Sequence, residues 1–155
     1  MTHKFDKLFV FCFALPFVAD RLTKHFVISK LWETKKIFSF FNLYLTHNQG
    51  IAWGIGNQLN HPHVSRLTIL IACVLIYFIW YMYTVAHHRK MITACLFIIS
   101  GGISNFIDRL WYGSVVDFIQ LHYHDWYFPV FNVADISISL GAILLIYFVL
   151  FDDQA

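Results

Sequence analysis

Charge is what this sequence has least of. Eleven Lys and Arg and nine Asp and Glu make up 13% of 155 residues, against 59% hydrophobic. That balance excludes an ordinary soluble globular domain. The few bases form no cluster interleaved with exposed aromatics, which excludes a nucleic-acid-binding surface. Cysteine is sparse as well: Cys12, Cys73 and Cys95 each stand in an apolar run without paired spacing. They read as small hydrophobes, so neither a disulfide framework nor a thiolate metal site is expected. There is no H-E-x-x-H for a zinc enzyme, and Ser114 follows Gly113 without a Ser–His arrangement. Repeats and low-complexity tracts are lacking too, which leaves one membrane-embedded domain over residues 1–155.

What the chain does have is long apolar runs. Four stretches approach the roughly 20 residues that cross a bilayer: Leu8–Ile28, Leu67–Ala86, Met91–Ile107 and Val133–Phe151. The first follows Lys4 and Lys7 as a signal peptide would, but no small-x-small cleavage site comes after it. It is expected to be a retained helix bent at Pro16. Four spans put both termini on one side. Lys4, Lys7, Arg89 and Lys90 lie on that side, and Lys30, Lys35, Lys36 and Arg66 on the other. The counts tie, but the first set is packed into shorter segments, which favours cytoplasmic termini.

The short loop His87–Lys90 makes the second and third spans antiparallel neighbours. Lys30–Arg66 is too long for a simple connection; Ile37–Thr46 reads as strand-like structure on the membrane surface, and Asn48–Gly56, with three glycines, as a turn. Tyr112–Phe131 reads as irregular, with Trp111 just before it and Tyr112, Tyr123, Trp126 and Tyr127 within it forming an interfacial belt.

Against this background a few polar residues stand out. Gly101, Asn105, Asp108 and Arg109 fall on one helical face, the glycine admitting a neighbouring helix and the rest supplying hydrogen bonds and an Asp108–Arg109 ion pair. Asp20 and Lys24, four apart with Arg21 adjacent, read as a structural or substrate-orienting ion pair. Asp117 and Asp135 differ, since neither has a base within four positions. A carboxylate at the edge of a bilayer is costly without a partner or a task. Each either accepts backbone N–H groups as a cap, or the two share a proton and activate water as aspartic proteases do. His61-x-His63 and His122-x-His124 suggest metal ligands but read better as interfacial loop histidines, because no Cys or Glu completes a set.

These residues resemble the bacterial lipoprotein signal peptidases (signal peptidase II) over nearly the whole chain. SNFIDRLWYGSVVDFI resembles the family's G-N-x-x-D-R-x-x-x-G-x-V-x-D-F motif, and FPVFNVADISISLG its F-N-x-A-D-x-x-I-x-x-G motif. THNQGIAWG is similar to N-x-G-A-A-F-G, and DRLTK to D-Q-x-x-K. The resemblance implies an all-α membrane protein of four transmembrane helices with a small extracytoplasmic β-cradle. It implies an inner-membrane enzyme that cuts signal peptides from prolipoproteins just before a diacylglyceryl-modified cysteine, with no metal or organic cofactor. Carried over residue by residue, Asp117 and Asp135 match the catalytic dyad. Asn48, Gly50, Asn105, Arg109, Asn132 and Ala134 match residues that line or support the site, and Asp20, Lys24 and Asp108 match structural polar positions. Asn48 and Asn132 are expected to hold substrate backbone, with the acyl chains among membrane lipids between helices.

The chain departs from the pattern at Arg21 (usually Gln), Ile51 and Trp53 (usually Ala and Phe) and Ser104 (usually Gly). Trp53, on a glycine-rich loop, is expected to clamp bound substrate, the alternative being an interfacial anchor that touches only lipid. Two rival readings stay open: a small proton or ion conductor that uses Asp20, Asp117 and Asp135 as a relay, and a catalytically weak paralogue that only binds lipoproteins.

Overall fold

The structure, a computed structural model, describes residues 7–31, 33–50 and 61–151. A π-helical turn, Val10–Ala14, runs directly into helix α1, Leu15–Lys30. The wide turn has a local cause. Pro16 offers no N–H and its ring crowds the carbonyl four residues back. The ladder is re-phased just before it, where the Leu15 N–H bonds the Val10 carbonyl. The expected irregularity at Pro16 is therefore a π turn.

Three more helices follow: α2 (His61–Thr84), α3 (Arg89–Tyr112) and α4 (Val133–Phe151). Among the described residues, Arg66–Thr84, α3 and α4 are long and apolar enough to cross a membrane. The first expected span is helical where expected, but it does not join that set. Asp20, Arg21, Lys24 and Lys30 interrupt its apolar character. The third span extends to Tyr112, where Gly113 closes it at φ 68°, the left-handed cap that glycine supplies without strain.

Helix α3 is the axis of the bundle. Of its apolar window 67% is buried, against 6% for α2 and 17% for α4. The outer helices turn Ile76, Trp80, Ile143 and Leu150 outward, as lipid-facing helices do. The expected close approach at Gly101 is present. A Cβ there would stand 2.2 Å from the Ala134 carbonyl oxygen, and one at Gly141 would stand 2.7 Å from that of Ala94. Small residues at both crossings bring α3 and α4 into backbone contact.

At one end of the bundle lies a four-stranded antiparallel sheet in the order β1-β2-β3-β4: β1 (Lys35–Phe38), β2 (Phe41–Asn48), β3 (Val115–Tyr123) and β4 (Trp126–Tyr127). The first two strands occupy the stretch expected to be strand-like. The third corrects the expectation that Tyr112–Phe131 is irregular. Val115–Tyr123 is rich in β-branched and aromatic residues, but burial of its first four residues in a row hides the alternation that marks a half-exposed strand. In the β2–β3 register, Thr46 faces Asp117 and Asn48 faces Val115.

Gly101→Ala is expected to force α3 and α4 apart, because the atom a methyl would meet is backbone and cannot rotate away. The cost should be about 1–3 kcal/mol, read as a lower melting temperature in detergent. A melting temperature equal to wild type would show that the helices do not cross there.

Candidate active site

The first turn of α4 sets the position of Asp135. Asn132 is the residue before the helix, and its Oδ1 accepts the Asp135 N–H at 2.8 Å. The Asp135 Oδ2 in turn accepts the Asn132 N–H at 3.1 Å. This is the reciprocal capping box, built with Asn and Asp. Between them, the Ala134 N–H donates to Asp20 Oδ1 at 2.8 Å. The cap reading of Asp135 is thus correct as geometry, and it leaves Oδ1 free to accept the Asn105 amide at 2.9 Å.

Asp117 comes from β3 and is 1% exposed. Its Oδ2 accepts the Asn48 amide at 2.9 Å and its Oδ1 the Asn132 amide at 2.6 Å. Asn132 therefore holds both carboxylates, that of Asp117 through its side-chain NH₂ and that of Asp135 through its backbone N–H. Burial pushes the Asp117 carboxyl up to about 7 and the negative charge of Asp135 pushes the same way, opposed by the hydrogen bonds from Asn48 and Asn132 and by the charge of Lys24.

Behind the carboxylates lies a buried ionic cluster between α1 and α3. Lys24 Nζ lies 2.7 Å from Asp20 Oδ2, 2.8 Å from Asp108 Oδ2 and 2.8 Å from Asn105 Oδ1. Ser104 Oγ donates to Asp20 Oδ2 at 2.6 Å, and Arg21 pairs with Asp108 Oδ1. The Asp20–Lys24 pair is as expected, but the Asp108–Arg109 pair is not. Successive residues on a helix point about 100° apart. Asp108 turns to α1, while Arg109 turns the other way and donates to the carbonyls of Gln49 and Gly50. That contact, with the Gly50 N–H on Asn48 Oδ1 at 2.9 Å, holds the end of β2 over the site. Two of the departures from the family pattern, Arg21 and Ser104, are working members of this cluster, and nothing in their spacing showed it.

The carboxylates close one end of a cavity of about 350 Å³. Asn48, Asn105, Arg109, Asp117 and Asp135 form its polar end, and Leu67, Ile71, Val74, Ile98 and Ile138 line its apolar length. Of the twelve site residues expected from sequence, Trp53 lies outside the described residues, as does Ile51. The other eleven gather around this end of the cavity or the cluster behind it.

Other expectations resolve elsewhere. His122 lies on β3 rather than in a loop, its ring stacked on Tyr127 at 5.2 Å between centroids. His124 occupies the following turn with φ 50°. A serine–histidine contact does exist: His47 Nδ1 lies 3.2 Å from Ser114 Oγ. It joins β2 to the start of β3 across 67 positions of sequence, a separation at which local spacing carries no signal.

The model of the signal peptidase II family matches residues 12–151. The chain is 37% identical over 158 aligned residues to the lipoprotein signal peptidase of Buchnera aphidicola subsp. Acyrthosiphon pisum (strain Tuc7), with 94% of this chain and 96% of that one covered. It is 38% identical to the lipoprotein signal peptidase of Aquifex aeolicus (strain VF5), with 84% and 78% covered. Among solved structures, a bacterial membrane enzyme obtained by the in meso method at 2.3 Å resolution superposes with a TM-score of 0.78 at 30% identity, covering 94% of this chain and 89% of that one. With nine-tenths of its length matched in both sequence and fold, the chain belongs to the signal peptidase II family.

Proposed function

We propose that this chain is an aspartic endopeptidase that removes signal peptides from prolipoproteins, cutting on the N-terminal side of a diacylglyceryl-modified cysteine. The observation that carries the reading is a pair of carboxylates, Asp117 and Asp135, held by one asparagine at the polar end of an apolar cavity. They are the dyad and share one proton. The ionised member takes a proton from water, and the resulting hydroxide attacks the scissile carbonyl carbon. The protonated member donates to the carbonyl oxygen. On collapse of the tetrahedral intermediate the C–N bond breaks, and the amine leaves with a proton from the dyad. Asn48 and Arg109 border the same space and hold the substrate backbone. The apolar length of the cavity suits a signal-peptide core or an acyl chain continuous with membrane lipid.

The reading includes four membrane crossings, the first made by the continuous helical run that ends at Lys30. Asp20, Arg21 and Lys24 lie against α3 rather than lipid, which lowers the cost of burying them. With four crossings, both termini and the α2–α3 loop are cytoplasmic in the cell (inner) membrane, and the sheet and dyad lie near the extracytoplasmic face. A proton conductor is the less economical reading. Asp20, Asp117 and Asp135 cluster around the first turn of α4 instead of tracing a path through the bilayer.

Two outcomes follow from the dyad and one from the topology. Asp117→Asn and Asp135→Asn should each reduce cleavage of a lipidated prolipoprotein by at least about 10³-fold, and wild-type rates in either folded variant would remove that residue from the reaction. The pH dependence of stability has a defined sign. The Asp117 carboxyl is raised from 3.8 to about 7, so its contribution is complete below pH 4 and is lost as pH rises through 7. Asp117→Asn should therefore melt above wild type at pH 8, with the gap closing towards pH 4. A gap that widens on acidification would place the ionised form in the stable protein. For orientation, His88→Cys should react with a membrane-impermeant maleimide only after the cells are opened; labelling of intact cells would invert the topology.

A further inference from the structure

The dyad reading leaves open which carboxyl carries the proton, and the ionic cluster bears on it. Lys24 has three N–H donors and no acceptor, and the structure gives it three acceptors: Asp20 Oδ2, Asp108 Oδ2 and Asn105 Oδ1. The Asn105 oxygen also accepts the Asn132 amide at 3.2 Å. With two donors on its oxygen, Asn105 can present only its NH₂ to Asp135. Flipping the amide would set its NH₂ against an ammonium and its oxygen against a carboxylate. Asp135 also receives a backbone N–H in the first turn of a helix, where the macrodipole favours an anion. Asp117 stands within a strand and receives only side-chain amides. Arg21 balances the cluster by taking the other Asp108 oxygen, so two carboxylates meet two cations.

We infer that Lys24 is a positioning residue: it fixes the Asn105 amide toward Asp135, which makes Asp135 the carboxylate that takes the proton from water and Asp117 the carboxyl that donates one. The inference rests on the dyad reading. The charged groups around Asp135 are Asp20 and Lys24 from α1, Asp108 and Arg109 from α3, and Asp117 from β3. Of the cations among these, only Lys24 reaches it through an oriented amide.

The test is the pH dependence of kcat/KM for cleavage of a lipidated prolipoprotein by the purified full chain. Lys24→Met and Asn105→Ala should each move the acid limb to higher pH by about one unit, the scale on which a lost charge partner or donor acts. The double variant should move it no further than either single one, since both interrupt one path. Arg21→Gln should lower the melting temperature and leave the limb where it is. A purely structural Lys24 would reduce the active fraction equally at every pH, and an unmoved limb in folded Lys24→Met overturns the inference. Should Lys24→Met fail to fold, Asn105→Ala decides alone, because it leaves the Asp20–Lys24–Asp108–Arg21 pairs in place; an unmoved limb there overturns it too. Absence of cleavage by wild type, or full activity in Asp135→Asn, would instead strike the dyad reading itself.

Discussion

A helix that starts at the edge of a bilayer brings backbone N–H groups that lipid cannot satisfy. In this protein α4 begins against other protein, and its first-turn donors are met by Asn132 Oδ1 and Asp20 Oδ1. Much of the site follows from that requirement. The capping pair fixes Asp135, the other end of the Asn132 amide fixes Asp117, and the need for Asp20 draws α1 against the bundle. The groups that end a helix properly are the groups that assemble two carboxylates.

The scarcity of charge has a related consequence. Buried ions are costly unless every hydrogen-bonding position is filled, so a chain that buries Asp20, Lys24 and Asp108 completely has to use each more than once. Asp20 caps α4, pairs with Lys24 and accepts Ser104. Asp108 pairs with two bases and accepts the Val116 N–H at 3.3 Å, tying the end of α3 to the start of β3. The cluster is at once the joint between α1 and α3 and the floor beneath the proposed dyad.

Much of this was legible in the sequence because membrane constraints act locally. Long apolar runs marked α2, α3 and α4, and offsets of four and seven along α3 placed Gly101, Asn105 and Asp108 on one face. The four motifs carried the residue set. Legibility ended where the determining contact was distant or the local pattern was masked. Strand β3 was missed because its buried residues do not alternate. Arg109 was given to its neighbour Asp108 because adjacency in sequence is not adjacency on a helix. The roles of Arg21 and Ser104 depend on partners more than eighty positions away, which no spacing within one segment reports.

The order of the two carboxylates along the chain has a biogenetic consequence. Asp117 lies in the strand before α4, while Asp135 lies inside α4, the last helix in the described chain. During membrane insertion the earlier segments meet the lipid with only half of the dyad. The second half arrives with a helix whose own cap closes around it. On the proposed dyad, cleavage has to wait until α4 is in place, so the order of the chain itself delays proteolysis during insertion.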